Sequence, residues 1–198
     1  MSTLEGWDQQ ATLALNSLHV PGWDHFWMLM SDRWVWIPFY IVLIYIIFRR
    51  LGWKRGLVLV GAVIVAFLIS DRISTLVKFG VGRLRPCYTT CLLESGLRTS
   101  ESRGGFFGFF SAHASNAFML IACIVTGLRT DKSRSHNDIA ALGYTWAALV
   151  AFSRVMVGKH FLGDILVGTA FGLLLGWALG LLARYCFRRL EPGAATCR

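Results

Sequence analysis

Three short clusters in this chain set cations, imidazoles and a carboxylate at spacings that could handle a phosphate group. The first is Lys78 with Arg83, Arg85 and Pro86. Lys78 and Arg85 stand seven apart, two helical turns, and share a face if the helix continues. Arginine offers anionic oxygens a planar fork, and lysine offers a point charge. The second cluster is Ser111-Ala112-His113, which follows a loop of glycines and phenylalanines at 104–110. Ser111 has the right side chain to cap a helix, and the free N–H groups at a helix start attract anions. The third is Ser153-Arg154, then His160 and Asp164. One helical turn separates His160 from Asp164, so the carboxylate can hold one ring nitrogen and leave the other free to attack. Each cluster alone has a plainer explanation: an anchor for anionic lipid headgroups, a structural histidine, and a structural ion pair.

The elements that carry these clusters are apolar. Five runs stand out, at 34–48, 57–70, 114–128, 139–152 and 165–183. Most fall short of the roughly 20 residues that cross a bilayer. Four of them lengthen if polar neighbours join the helix: Asp71, Arg72 and Lys78; Ser111 and His113; Ser153 and Arg154; His160 and Asp164. Ionisable groups at such ends are expensive and mark a site. The expected fold is therefore all-α, a polytopic membrane bundle with five or six transmembrane helices. A single domain is expected over 1–198, with the bundle at 34–190.

Composition agrees. The 198 residues are 55% hydrophobic and 16% charged, with a formal charge of +9 and a mean hydropathy of +0.54. Soluble domains carry about 25% charged residues. The aromatic content excludes disorder, and so greasy a surface excludes a nucleic-acid binder. Ten of the basic residues form three groups: Arg49, Arg50, Lys54 and Arg55; Arg129, Lys132 and Arg134; Arg184, Arg188 and Arg189. Placed on the cytoplasmic side, they turn the ends bearing Lys78, His113 and His160 outward.

The first 33 residues read as two interfacial helices on the outer side, broken at Pro21-Gly22; a short first crossing is the alternative. Leu4, Ala11, Leu15 and Leu18 lie roughly on one face of the first, with Glu5, Asp8, Gln9 and Asn16 elsewhere. No cleavable signal peptide is expected. Cys87 and Cys91, four apart, could form a disulfide or remain thiols; Cys123 reads as a core residue, and Cys186 and Cys197 as cytoplasmic. Gly168, Gly172, Gly176 and Gly180 make a small-residue face suited to close helix packing within the chain.

Taken together, the three clusters resemble the type 2 phosphatidic acid phosphatase family, which includes acid phosphatases and vanadium haloperoxidases. Its pattern is Lys-x6-Arg-Pro, Pro-Ser-Gly-His, then Ser-Arg-x5-His-x3-Asp. The first and third elements are complete here. In the second, Phe110 stands for Pro and Ala112 for Gly, while Ser111 and His113 remain. The resemblance implies a hydrolase with no metal or other cofactor. It implies His160 as nucleophile oriented by Asp164, and His113 as proton donor to the leaving group. Lys78, Arg85, Ser111 and Arg154 would bind the phosphate, with Arg83 as an auxiliary. A lipid phosphate held in the bilayer suits this setting: a polyprenyl diphosphate of the undecaprenyl type first, then phosphatidylglycerophosphate, phosphatidic acid or a lipid A phosphate. Arg98, Arg103 and Glu94 could read its headgroup. No nucleic-acid partner is implied. Compact size resembles bacterial members, which implies a multi-pass protein of the cytoplasmic membrane with its site facing the periplasm or cell exterior. The competing reading is a catalytically silent lipid-binding or transport protein that keeps the fold.

Overall fold

The computed structural model describes residues 3–190 except 19 and 21; Pro21 and Cys197 lie outside the described residues. The described chain is helical, with one isolated antiparallel bridge between Leu84 and Phe107. Seven α-helices follow in order: α1 (Thr3–Asn16), α2 (Asp24–Ser31), α3 (Ile37–Val81), α4 (Thr90–Glu94), α5 (Ala112–Leu128), α6 (Asn137–Met156) and α7 (Leu162–Leu190), with a 3₁₀ turn at Pro86–Tyr88. Among the described residues α3, α6 and α7 are long and apolar enough to cross a membrane, and α5 is a shorter apolar helix. Neither α1 nor α2 has the length for a crossing.

Two of the apolar runs merge in α3. A straight helix of 45 residues would be about 68 Å long, yet residues near both ends, Ile37 and Asp71, line one cavity. Gly52 makes the reversal (φ +72, ψ 177), and the Phe48 ring folds over Gly56. The two arms, 37–51 and 53–81, thus stand side by side.

Helix α5 is the centre of the bundle. Residues 121–128 are all buried, so it is covered on every side. It packs against α3, α6 and α7. Its bed on α7 is the glycine face: Gly168, Gly172, Gly176 and Gly180 meet the α5 backbone at Ser111, Ser115, Met119 and Cys123 in turn. The register rises together on both helices, so α5 and α7 run parallel and begin at the same end. A Cβ at Gly180 would lie 2.6 Å from the Cβ of Thr126, and at Gly172 and Gly176 there is less room still. The close packing is within the chain, as expected. Ser70 of α3 and Ser115 of α5 tie the next seam, hydroxyl to hydroxyl at 2.8 Å.

Outside this core the helices present apolar side chains, such as Ile41, Ile64, Leu68, Leu76, Leu174 and Trp177, which are exposed without a protein partner. This belt matches a lipid surface. The three basic groups all gather at the end of the bundle opposite the α5 and α7 starts. Arg50 bonds Ser135 O and His136 there at 3.2 and 2.7 Å, joining the Gly52 reversal to the α5–α6 loop.

Helix α1 differs from the amphipathic expectation. Its polar residues Thr12 and Asn16 are buried, while Leu4 and Trp7 are exposed. The polar stripe faces the protein because it has hydrogen-bonding work there.

Candidate active site

The three clusters converge at one end of the bundle. Helix α3 carries Lys78 in its last turn and stops at Val81, where Gly82 takes the left-handed cap (φ +64) and its N–H bonds Lys78 O at 3.0 Å. Arg85 is therefore not two helical turns along from Lys78, as spacing suggested. It lies in extended chain, where its N–H bonds Phe106 O at 2.9 Å and Gly108 N–H bonds Arg83 O at 2.9 Å. This short pairing brings the 104–110 loop over the site. Arg85 Nε donates to Phe107 O at 3.2 Å.

Ser111 is the N-cap of α5, its Oγ accepting from Ala114 N at 3.5 Å, and it is fully buried. His113 lies in the first turn, half-buried, within electrostatic reach of Arg154, His160 and Lys78. Ala112 has right-handed backbone, so this chain does not need the freedom of glycine there. Phe110 is buried against Phe171 of α7, ring centroids 5.1 Å apart.

Arg154 lies in the last turn of α6, and a turn at residues 157–161 leads to α7. Gly158 makes that turn: its φ is +73, and a Cβ would sit 2.6 Å from Arg98 O. His160 belongs to this turn, not to α7, yet it still meets Asp164 in the first turn of α7, Nδ1 to Oδ2 at 3.2 Å. The same Oδ2 accepts from Phe161 N at 3.1 Å. His160 is 2% exposed and Asp164 not at all. Gly108 closes over the pair, with room for a Cβ only 3.0 Å from Asp164 Oδ2 and 3.6 Å from His160 Nδ1. Burial first, then the field of Arg154, Arg85, Lys78 and Lys159, holds the His160 imidazole well below the usual histidine range. It is neutral near neutral pH, with Nδ1 engaged and Nε2 left for chemistry.

Some placements depart from expectation. Arg83 does not offer its fork to the anion site. One amino group meets Asp164 Oδ1 at 2.9 Å, the other Asp8 Oδ2 at 2.7 Å, and the guanidinium stacks 4.0 Å from the Phe161 ring centroid. Two carboxylates, Asp164 buried and Asp8 partly so, outcompete a transient ligand because they are permanent. The loop residues also have other engagements. Arg98 pairs with Asp24 at 3.5 Å, and Arg103 stacks on Tyr88 at 5.7 Å. Cys87 and Cys91 are both free thiols, one buried and one exposed, as are Cys123 and Cys186.

Sequence reasoning overlooked Lys159 and Glu101. Lys159 is buried beside His160 and donates to Ser102 O. A Cβ on Gly104 would lie 3.4 Å from Arg85 and 3.6 Å from the Lys159 amine, so the two cations flank one spot. Glu101 faces Arg154 at 3.4 Å and Lys159 at 3.9 Å. Arg154 Nε is buried with no partner. An anion with several oxygens would satisfy it. Lysine directly before the motif histidine was the available signal for Lys159; no spacing rule points to Glu101. Among the described residues, no three His, Cys, Asp or Glu side chains cluster to hold a metal ion.

An apolar cavity of about 590 Å³ adjoins the site. It starts at Arg33, Asp71, Ala112 and His113 and runs between the arms of α3 and α5, past Leu43, Ile64 and Leu120, to Ile124.

Comparison with known proteins agrees with this architecture. The chain is 28% identical over 186 residues to a lipid A 4'-phosphatase of Bacteroides thetaiotaomicron, covering 93% of this chain and 80% of that one. It is 32% identical over 170 residues to a lipid A 4'-phosphatase of Porphyromonas gingivalis, covering 83% and 67%. The fold superposes on the crystal structure of a PAP2-type phosphatidylglycerolphosphate phosphatase of Bacillus subtilis, with a TM-score of 0.73 at 19% identity over 93% of this chain and 88% of that one. Aquifex aeolicus LpxE gives 0.59 at 20% identity, over 89% and 93%. Those two structures speak to the fold alone. The PAP2 superfamily model matches residues 55–190, a span that holds all three clusters and the helices that position them. The chain belongs to the PAP2 superfamily.

Proposed function

We propose that this chain, a membrane lipid phosphatase, removes the phosphate from a phosphorylated glycolipid of the lipid A type through a phosphohistidine intermediate. The observation that carries the reading is the junction of a cation-lined, buried His160–Asp164 pair with an apolar cavity that starts at His113. Two curated relatives are lipid A 4'-phosphatases. They favour such a substrate over the undecaprenyl diphosphate expected first from the resemblance.

Lys78, Arg85, Arg154, the Ser111 hydroxyl and the N–H groups at the start of α5 hold the phosphate oxygens; Lys159 adds charge beside them. His160 Nε2 attacks phosphorus, and the bond from phosphorus to the lipid oxygen breaks. Asp164 accepts from Nδ1–H and stabilises the charge that forms on the ring. The phosphate's negative charge offsets the cations beside His113, which is protonated in the complex and gives its proton to the leaving oxygen. The lipid remainder leaves on the cavity side, where its hydrocarbon stays out of water. His113 then takes a proton from water, which attacks the phosphohistidine; inorganic phosphate departs and His160 is regenerated. No step calls for a metal. The functional unit is the single domain, residues 1–198, in the bacterial cytoplasmic membrane, with the site facing the periplasm or exterior.

The test is phosphate release in detergent with a chelator present. Substrates are lipid A, undecaprenyl diphosphate, phosphatidylglycerophosphate and phosphatidic acid, given to wild type and His160→Ala. Wild type turns over lipid A fastest, and His160→Ala loses essentially all turnover. Undiminished turnover in the mutant would overturn the phosphohistidine. A wild type that hydrolyses none of the four favours the silent lipid-binding protein.

A further inference from the structure

Helix α1 places Asp8, Thr12 and Asn16 four residues apart on one face. An interfacial helix would turn such a stripe to water. Here it lies against the segment that carries His160. The first N–H groups of any helix lack partners within it, and α1 supplies partners for α7. Thr12 Oγ1 accepts from Leu162 N at 2.9 Å, and Asp8 Oδ1 from Gly163 N at 2.7 Å. Asn16 reaches the other side of the turn, donating to Val155 O at 2.9 Å and Met156 O at 3.1 Å, where α6 ends. Both ends of the 157–161 turn are thus held by a helix about 150 residues away in sequence. Gly163 leaves the space for this docking, since a Cβ would stand 2.8 Å from Asp8 Oδ2.

That second Asp8 oxygen accepts from Arg83 at 2.7 Å, and the other amino group of Arg83 reaches Asp164 Oδ1 at 2.9 Å. Asp164 Oδ2 holds His160 Nδ1. The result is an alternating chain, Asp8–Arg83–Asp164–His160, with one cation shared by two carboxylates. Left alone with Asp164, Arg83 would draw its carboxylate toward a two-membered pair and weaken it as an acceptor for the imidazole. Asp8 takes half of that pull and fixes the guanidinium, a charge-assisted network inside a largely dry site. We infer that Asp8 is a positioning residue for the nucleophile: through Arg83 it sets Asp164, and with it His160, so the N-terminal helix belongs to the catalytic apparatus. The inference rests on the reading of His160 as nucleophile and goes beyond it.

The decisive variant is Asp8→Asn, whose Oδ1 still accepts from Gly163 N while the negative charge that faces Arg83 is lost. With the full chain in detergent and the lipid that wild type hydrolyses best, kcat falls roughly 10- to 100-fold, the range for losing a group that orients a catalytic ligand. KM is unchanged, because no phosphate contact is touched. Gln10→Ala, on the exposed side of the same helix, leaves both constants alone. In an Asp164→Asn background, Asp8→Asn costs nothing further in single-turnover phosphate release, since its route to His160 is already cut. Losses that multiply in the double variant, or a kcat for Asp8→Asn equal to wild type, overturn the inference and leave the phosphatase reading intact. A wild type that hydrolyses no lipid overturns both. If Asp8→Asn does not fold, Arg83→Lys reads the same link, because one ammonium cannot span both carboxylates; a wild-type kcat there overturns the inference equally.

Discussion

A methyl group at Gly168 would stand 2.6 Å from the carbonyl oxygen of Ser111. That relationship joins the glycine face of α7 to the residue that caps α5, and so joins the helix start bearing Asp164 to the one bearing His113. Gly168→Ala must part the two helices. It is expected to cost about 1–3 kcal/mol, as overpacking does, and to lower kcat further, because the spacing of His113 and His160 changes with it. Thermal unfolding in detergent, read beside phosphate release, checks this. A melting point and kcat equal to wild type would show that the seam yields freely.

The depressed ionisation of His160 predicts the acid side of the pH profile. With the neutral ring as the proposed nucleophile, the fall in kcat/KM on acidification is expected to have its midpoint below 6.5, the ordinary histidine value. Stability follows the same sign. Below pH 6.5 the unfolded chain takes up a proton that the folded chain refuses, so this site favours unfolding progressively until the lower folded value is reached. Lys159→Met removes a cation from beside the ring, and the midpoint moves to higher pH. A midpoint that stays in place, or moves lower, would contradict the electrostatic account.

Arg154→Lys tests the shape of the anion site rather than its charge. Arg154 is buried and its Nε lacks a partner, although Glu101 faces its other end. Lysine keeps the charge and loses the fork. Losing a hydrogen bond to a charged group costs about 1.5–3 kcal/mol, so kcat/KM falls roughly 10- to 150-fold. A change of less than about threefold would leave Arg154 with only a structural part.

The grouping of basic residues at the far end of the bundle predicts the topology. A cysteine placed at Arg103, in the exposed loop beside the site, is expected to react with an impermeant thiol reagent in intact cells. One placed at Lys132 is expected to react only after the membrane is opened. Both are made in a variant with Cys91, the exposed native thiol, replaced by serine. The opposite pattern would reverse the orientation and put the site in the cytoplasm.

Much of the site was legible in sequence because its chemistry sits in short local patterns. Lys78 with Arg85, Ser111 with His113, and Arg154 with His160 and Asp164 could all be named from residue type and spacing, and the five apolar runs predicted a helical bundle. The glycine spacing in 168–180 predicted close packing and left its partner to be found. Local periodicity failed where the chain leaves a helix. It allowed α3 to continue through Arg85 and α7 to begin at His160, whereas Gly82 ends α3 and the turn at Gly158 leaves His160 outside α7, which starts at Leu162. It also read Asp8 and Asn16 as the wet side of an amphipathic helix. Period alone cannot say what a polar stripe faces, because α1 meets the 155–163 segment only through tertiary folding. By itself the sequence named the three clusters proposed to do the chemistry and the apolar, helical character of the segments that carry them. The tertiary structure alone decided that Arg83 serves carboxylates rather than the anion, that Lys159 and Glu101 join the site, and that the apolar cavity starts at His113. Each of these depends on distances between segments far apart in the chain, which no local pattern encodes.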